Sequence, residues 1–256
     1  MITRLSYIDK VTIKVLFFTL VSIVAIPYYF LNGGTFLGFV LIRIVAQVFA
    51  NFGQIGSHRW LCHNSFKPNK LGKLLMFCGM VLGGYGRPMH VVVAHRLHHA
   101  HADTVKDPHS PKYHSFWNLW LGRFTIRSGV RVPKDFFRNK EAMFVSDNYW
   151  LIYWSFNIVL ALIDLKTALV FCPVTFVNSW TWNTIINYYG HYGNTIEPKN
   201  LNRFATIMTA GEGLHKNHHI APSSYNFSSA DRTDPAVWTI ENILMDKTGC
   251  PTRDRT

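Results

Sequence analysis

The sequence predicts an all-α membrane protein, in which four transmembrane helices carry a cytosolic helical cap with a gathering of histidines. Three observations predict it. Hydrophobic residues make up 48% of the 256-residue chain and collect into four long blocks, while charged residues reach only 16%, against roughly 25% in soluble domains. Lys and Arg concentrate in the segments on one side of those blocks. Most of the 13 histidines fall in three short clusters on that same side.

A bilayer span needs about 20 mainly apolar residues. Residues 12–31 meet this, with Lys14 near their start, and so do residues 35–56, which Arg43 interrupts. Residues 71–94 are apolar but glycine-rich and carry Arg87, Pro88 and His90. They are expected to form an interfacial or re-entrant segment. The third and fourth spans are expected at about 148–164 and 167–190. The length suits one domain over 1–256, with the cap built from 57–146 and 193–256. The first block is long for a signal peptide and no small-x-small cleavage site follows it, so a retained anchor is expected.

Orientation follows from charge. Asn32-Gly33-Gly34 joins the first two spans without a basic residue, whereas residues 57–146 hold 14 Lys and Arg, the segment from 193 holds 7, and residues 1–14 hold 3. The positive-inside rule puts the cap and both termini in the cytoplasm. Topology thus accounts for most of the +12 net charge. No nucleic-acid motif accompanies it, so nucleic acid is excluded as a partner, while anionic lipid or an acidic protein suits it. Cys62, Cys78, Cys172 and Cys250 show no CxxC pairing, which argues against a disulfide framework or a zinc ribbon.

The first histidine cluster is GSHRWLCH, with His58 and His63. The second, HRLHHAHADTVKDPH, starts with His95, His98 and His99, and the third, GEGLHKNHH, holds His215, His218 and His219. His191 stands alone in NYYGHYGN. On a helix, positions i and i+4 share a face while neighbours differ by about 100°. An HxxHH helix can therefore offer ligands to two adjacent metals. His58 and His63 lie ~140° apart on an ideal helix and need either a distorted helix end or a metal approached from between them. Imidazole suits Zn, Cu, Fe and Ni alike. Asp103, Asp107 and Glu212 stand beside the clusters and are candidates to hold the second ring nitrogens. His90, His101, His109 and His114 are expected to play no ligand role.

HRWLCH, HRLHH and HKNHH resemble the three histidine boxes of the membrane fatty-acyl desaturases, the delta-9 type (stearoyl-CoA and acyl-lipid desaturases) in particular. The resemblance extends to the D-T-x-x-D-P-H trailing the second box and the G-E-G leading the third, and covers roughly residues 35–225. It implies a di-iron site: His58, His63, His95, His99 and His218 on one iron, His98, His191, His215 and His219 on the other, and Asn187 holding a water on the second. It implies an oxidoreductase that uses O2 and two electrons to place a cis double bond in an acyl chain held in a tunnel between the spans. Tyr28, Tyr29, Phe36, Phe39 and Ile42 are candidates to line that tunnel or to pack toward lipid.

One departure bears on the substrate. In animal and yeast acyl-CoA desaturases an Arg-Asp pair directly precedes the second box and helps bind the CoA end. Here Val93 and Ala94 occupy those positions, which favours acyl-lipid or acyl-carrier-protein substrates over acyl-CoA. The 37 residues after the third box hold no cytochrome b5 domain and no flavin or nicotinamide fingerprint. Electrons are therefore expected from a separate ferredoxin or cytochrome b5. Two other readings stay open on these residues: a related di-iron hydroxylase of acyl chains or hydrocarbons, and a non-catalytic membrane metal-binding or transport protein. The latter should place ionisable ligands inside the spans, whereas these histidines lie at or beyond the span ends.

Overall fold

A computed structural model describes residues 7–123, 133–193 and 197–248, with only the backbone of residues 7–10. Cys250, both chain ends and residues 124–132 of the cap lie outside the described residues. The long apolar runs form long helices. α1 covers Tyr7–Leu31 and ends in a tight turn at Asn32–Gly34; α2, Phe36–Gln54, starts where Thr35 Oγ1 accepts the Gly38 N–H. This is the side-chain cap that a β-conformation Thr provides to an otherwise orphaned donor. Without a break, α2 winds into a π-helical turn, Ile55–Cys62.

Next come α3 (Lys70–Leu82), α4 (Pro88–His101), the short α5 (Phe116–Trp120) and α6 (Lys134–Arg138), and α7 (Lys140–Asp147). α8 is Tyr149–Ile163 and α9 is Leu165–His191. α10 (Arg203–Met208), α11 (His215–Ile220) and α12 (Ala236–Thr239), which ends in a second π-helical turn Ile240–Leu244, complete the cap. Among the described residues no β-strand forms; two isolated bridges, Pro68 with Met245 and Ser229 with Arg232, are the nearest approach.

α1, α2 and α8 all pack on α9, and α3 packs on α2. The bundle core joins Val15 and Phe18 of α1, Ala46 of α2, Tyr149 and Tyr153 of α8, and Phe171 and Phe176 of α9. Phe18 and Phe176 stack at 4.2 Å between ring centroids. A second core under the cap gathers Trp60, Met76, Met80, Val92, Ile240 and Leu244. Gly53 and Gly79 set the α2–α3 crossing: a Cβ on either would overlap the other's backbone, so only glycine lets these helices approach so closely.

The outer faces of the bundle carry large exposed apolar side chains, among them Leu20, Ile23 and Val24 on α1, Leu41, Ile44 and Val48 on α2, and Ile158 and Leu162 on α8. An apolar surface this extensive belongs against lipid, and the protein is membrane-associated. Val11–Leu31 and the continuous helix Phe36–Cys62 are long and apolar enough to cross a membrane. The other two expected spans are helical but do not both have span-like dimensions. α8 has 15 residues, about 22 Å at 1.5 Å per residue. α9, at 27 residues, is long enough but interleaves Asn178, Ser179, Asn183 and Asn187 with its apolar positions. The expected re-entrant segment is a helix–break–helix, α3 then α4, folded onto the cap side of α2. Arg43 turns inward, donating from Nη1 to Thr175 Oγ1 at 2.8 Å and to the Val170 carbonyl at 3.4 Å.

Candidate metal centre

The π-helical turn answers the question that the five-residue spacing of His58 and His63 left open. Bonding of the i→i+5 kind, seen in His63 N–H to His58 carbonyl at 3.2 Å, brings residues five apart toward one face. The turn is pinned from inside the cap by Arg59, whose guanidinium donates to Glu212, Asp234 and the Tyr225 and Ala210 carbonyls. Facing it, α4 presents His95 and His99 on one side and His98 on another. α11 repeats the pattern with His218 against His215 and His219, and His191 closes the end of α9. Gly190 makes room here, because a Cβ at that position would enter the His215 ring.

The nine histidines gather into two groups. His58, His63, His95, His99 and His218 form one; His98, His191, His215 and His219 form the other; within each, the ligand atoms all lie within 4.8 Å of one another. In the first group Nε2 of His58 is 2.8 Å from Nε2 of His95 and 3.1 Å from that of His218. His63–His95 and His99–His218 are each 2.8 Å apart. In the second, Nε2 of His219 lies 3.3, 3.2 and 3.2 Å from those of His98, His191 and His215.

Carboxylates stand behind the rings. His58 Nδ1 is 2.6 Å from Glu212, His98 Nδ1 is 2.9 Å from both oxygens of Asp107, and His191 Nδ1 is 3.3 Å from Asp103. A carboxylate there keeps the proton on Nδ1 and leaves Nε2 as a lone pair. The lone pairs then converge on one another, which is repulsive unless a cation sits among them. The donor set therefore fits a pair of transition-metal ions, with nitrogen ligands only. Burial, reinforced by the neighbouring histidines, holds His95, His215 and His218 well below the ordinary imidazole range. The same causes bring His99 down to about 3 and His219 to about 2. These rings are neutral at pH 7, the form that binds metal. Burial pushes the Glu212 carboxyl up, but His58 and Arg59 more than offset it and hold the group ionised.

Removing an orienting carboxylate should weaken the site without removing a ligand. Asp107→Asn is expected to lower metal affinity about 10–100-fold, read by metal titration of the purified protein against a competing chelator. Unchanged affinity would show that His98 needs no such support.

A cavity of about 420 Å³ opens beside the first group. His95 and Asn187 are among its lining residues, and Val91, Ala94, Phe176 and Trp180 give it apolar wall. The five tunnel candidates Tyr28, Tyr29, Phe36, Phe39 and Ile42 are not among its lining residues. They lie near the α1–α2 turn, at the opposite end of the bundle, where Tyr29 packs on Phe30 and Phe39. Asn187 donates from Nδ2 to the Asn183 carbonyl at 2.8 Å and lines both the cavity and a smaller pocket that touches His58, His95 and His215. Sequence reasoning missed the Arg59–Asp234 network and the cavity wall from α1 and α5. Neither carries a local signal, since both arise where distant segments meet.

Residues 34–240 match the sequence profile of the family described as fatty acid desaturase. The chain is 27% identical over 231 residues to a sn-1 stearoyl-lipid 9-desaturase of Synechocystis sp., covering 84% of this chain and 70% of that protein. It is 32% identical over 182 residues to an acyl-CoA 5-desaturase of Anemone leveillei, covering 63% of this chain and 54% of that one. It is 28% identical over 226 residues to a delta-9 acyl-lipid desaturase of Arabidopsis thaliana, covering 77% and 67%. The chain thus spans little more than half the length of the Anemone relative and about two thirds of the other two.

Proposed function

This chain belongs to the fatty acid desaturase family, and from that premise we propose that it inserts a cis double bond, at a delta-9-like position, into a lipid-borne acyl chain. The observation that carries the reading is the pairing of two histidine groups with an apolar cavity that ends at one of them. His58, His63, His95, His99 and His218 would hold one iron; His98, His191, His215 and His219 would hold the other, with Asn187 holding a water beside the second group. Iron, when bound, supplies O2 activation and hydrogen removal from an unactivated methylene. Two hydrogens leave adjacent carbons and, with two electrons and two protons, reduce O2 to two waters.

The protein's own part is position and dryness. Phe176, Trp180, Val91 and Ala94 strip the acyl chain of water and restrict which methylene lies beside His95. Asp107, Asp103 and Glu212 fix ring orientation, so that the nitrogens need not rearrange during turnover. Val93 and Ala94, where acyl-CoA enzymes carry Arg-Asp, support acyl-lipid or acyl-carrier-protein substrates over acyl-CoA.

The proposed topology is four spans, α1, α2, α8 and α9, with the histidine end and both termini cytoplasmic. Lys166 Nζ donates to the Asn32 carbonyl at 3.2 Å, so the α1–α2 and α8–α9 turns lie together, at the end opposite the histidines. The basic residues of the cap favour that end as cytoplasmic. They also suit an acidic electron donor, a ferredoxin or cytochrome b5.

The test is expression in a desaturase-deficient host with a matching donor system, followed by mass spectrometry that maps double-bond positions. New monounsaturated chains are expected. Hydroxylated chains without new double bonds would replace this reading by the hydroxylase one. Iron-free protein with no O2-dependent activity would replace it by the non-catalytic one.

A further inference from the structure

The two histidine groups are supported unequally. In the second, Asp107 and Asp103 stand behind His98 and His191, whereas in the first Glu212 stands behind His58 alone. Among the described residues no Asp or Glu forms an ion pair with His63, His95, His99 or His218. His63 caps the π-helical turn and is half-buried, and its Nε2 meets that of His95 at 2.8 Å.

What holds His63 is a bracket on the backbone to either side of it. Arg96 follows His95 directly on α4. Its Nε donates to the Cys62 carbonyl at 2.7 Å and its Nη2 to the Leu61 carbonyl at 3.0 Å. These are the last two carbonyls of the π-helical turn, which a cation meets favourably. Nη1 and Nη2 also grip both oxygens of Asp135 on α6, at 2.8 and 2.6 Å. Asp135 in turn accepts from Asn64 Nδ2 at 2.8 Å. Asn64 follows His63 with φ at +50°, a left-handed conformation that asparagine tolerates better than most residues. One guanidinium–carboxylate pair thus fixes the residue before His63 and the residue after it, and ties both to the residue after His95.

Magnitudes decide what this bracket does. The side chains of Arg96 and Asp135 are 28% and 44% exposed, and an ion pair open to water contributes little to stability. Arg59, wholly buried, already pins the turn to the cap. A planar fork with fixed donor directions is suited to orientation instead, and groups that orient metal ligands typically govern affinity about 10–100-fold.

We propose that Arg96, with Asp135 and Asn64, is the positioning residue of the first histidine group: it sets His63 against His95 through its hold on the backbone, in place of a carboxylate behind those two rings. The proposal rests on the metal-centre reading and adds to it a residue that itself binds no metal.

The test follows iron rather than turnover. Iron-loaded protein in detergent is challenged anaerobically with rising concentrations of an Fe(II) chelator, and the iron left per chain is measured. In Arg96→Gln one of the two irons should leave at about tenfold lower chelator concentration than in the unmodified protein, while the other leaves as before. Thermal midpoints at saturating iron are measured alongside, to show that the variants are folded. Should Arg96→Gln fail to fold, Asp135→Asn carries the same test, because it leaves the Leu61 and Cys62 carbonyl bonds in place and should loosen the same iron. The substitution is then repeated in His63→Ala. There it should shift iron loss by less than about twofold further, because the ring through which it acts is gone.

Unchanged iron retention in the folded variant would overturn the proposal and leave the metal centre standing. So would equal loosening of both irons, or a loss in the His63→Ala background as large as in the unmodified one, since either would give Arg96 a general role in the cap. An unmodified protein that takes up no iron would remove the metal-centre reading, and the proposal with it.

Discussion

Replacing His98 or His219 with alanine is expected to abolish double-bond formation and to lower the iron bound by the protein, whereas replacing His114 leaves both largely intact. His98 is fully buried, with Nδ1 against both Asp107 oxygens and Nε2 aimed at His219. Alanine there deletes one of four nitrogens in the second group and leaves the Asp107 carboxylate, whose ionised form burial opposes and His98 supports, with only its two backbone donors, Asp103 and His109 N–H. His219 is the hub of that group, within 3.3 Å of the other three ring nitrogens. Its loss opens the centre of the site.

Because the first group keeps all five histidines, iron content should fall by about half rather than vanish, since metal binding follows the ligand set. His114 belongs to neither group. The readouts are iron per chain by elemental analysis and acyl-chain unsaturation in the host. Full activity in His98→Ala would sink the ligand assignment.

How much of this centre was legible in the sequence depended on which interactions were local. The HxxHH runs were readable because an α-helix puts i and i+4 together, and α4 and α11 are α-helical there. The HxxxxH pair was readable only as two alternatives, a distorted helix end or a metal approached from between, because no hydrophobic period announces the π-helical turn that carries it. His191 could be flagged by its place at a span end, but its neighbours come from α4 and α11 and are tertiary. Glu212, Asp107 and Asp103 were recognisable as nearby carboxylates; which ring each one faces was not.

Two features stayed hidden from the sequence for the same physical reason. Arg59 was counted only as one of the 14 Lys and Arg of residues 57–146, yet it is wholly buried. The five candidates to line the tunnel or pack toward lipid were chosen from the apolar residues of the first two blocks, and none of them lines the cavity. The cavity instead forms where α1, α4, α5, α8 and α9 converge. Composition measures how apolar or charged a segment is, and burial depends on what folds over it.

Arg59→Met is expected to cost about 3–5 kcal/mol of stability, the usual result of removing one member of a buried ionic set. Nε of Arg59 donates to Glu212 at 3.0 Å, Nη1 to Asp234 at 2.6 Å and the Tyr225 carbonyl at 2.7 Å, and Nη2 to the Ala210 carbonyl at 2.8 Å. The guanidinium also lies 3.9 Å from the Phe227 ring centroid. Methionine fills much of that volume, so packing changes little. What remains is two carboxylates without their shared cation, together with two carbonyls that lose a donor.

For a chain of this size that loss corresponds to a fall in Tm of roughly 6–20 °C, measured in detergent with the metal state held constant. Lysine should rescue only in part, because an ammonium cannot span Glu212, Asp234 and two carbonyls at once. A second variant separates stranded charge from lost contact. If the uncompensated charge dominates, Arg59→Met/Asp234→Asn should be more stable than Arg59→Met alone, even though it has lost more native hydrogen bonds. A double variant less stable than the single one would instead assign the cost to the contacts themselves. Metal retention gives a further division, because Glu212 also faces His58, whereas among the described residues no hydrogen bond or ion pair joins Asp234 to a histidine of the two groups. Glu212→Gln should therefore weaken both fold and metal, and Asp234→Asn the fold alone.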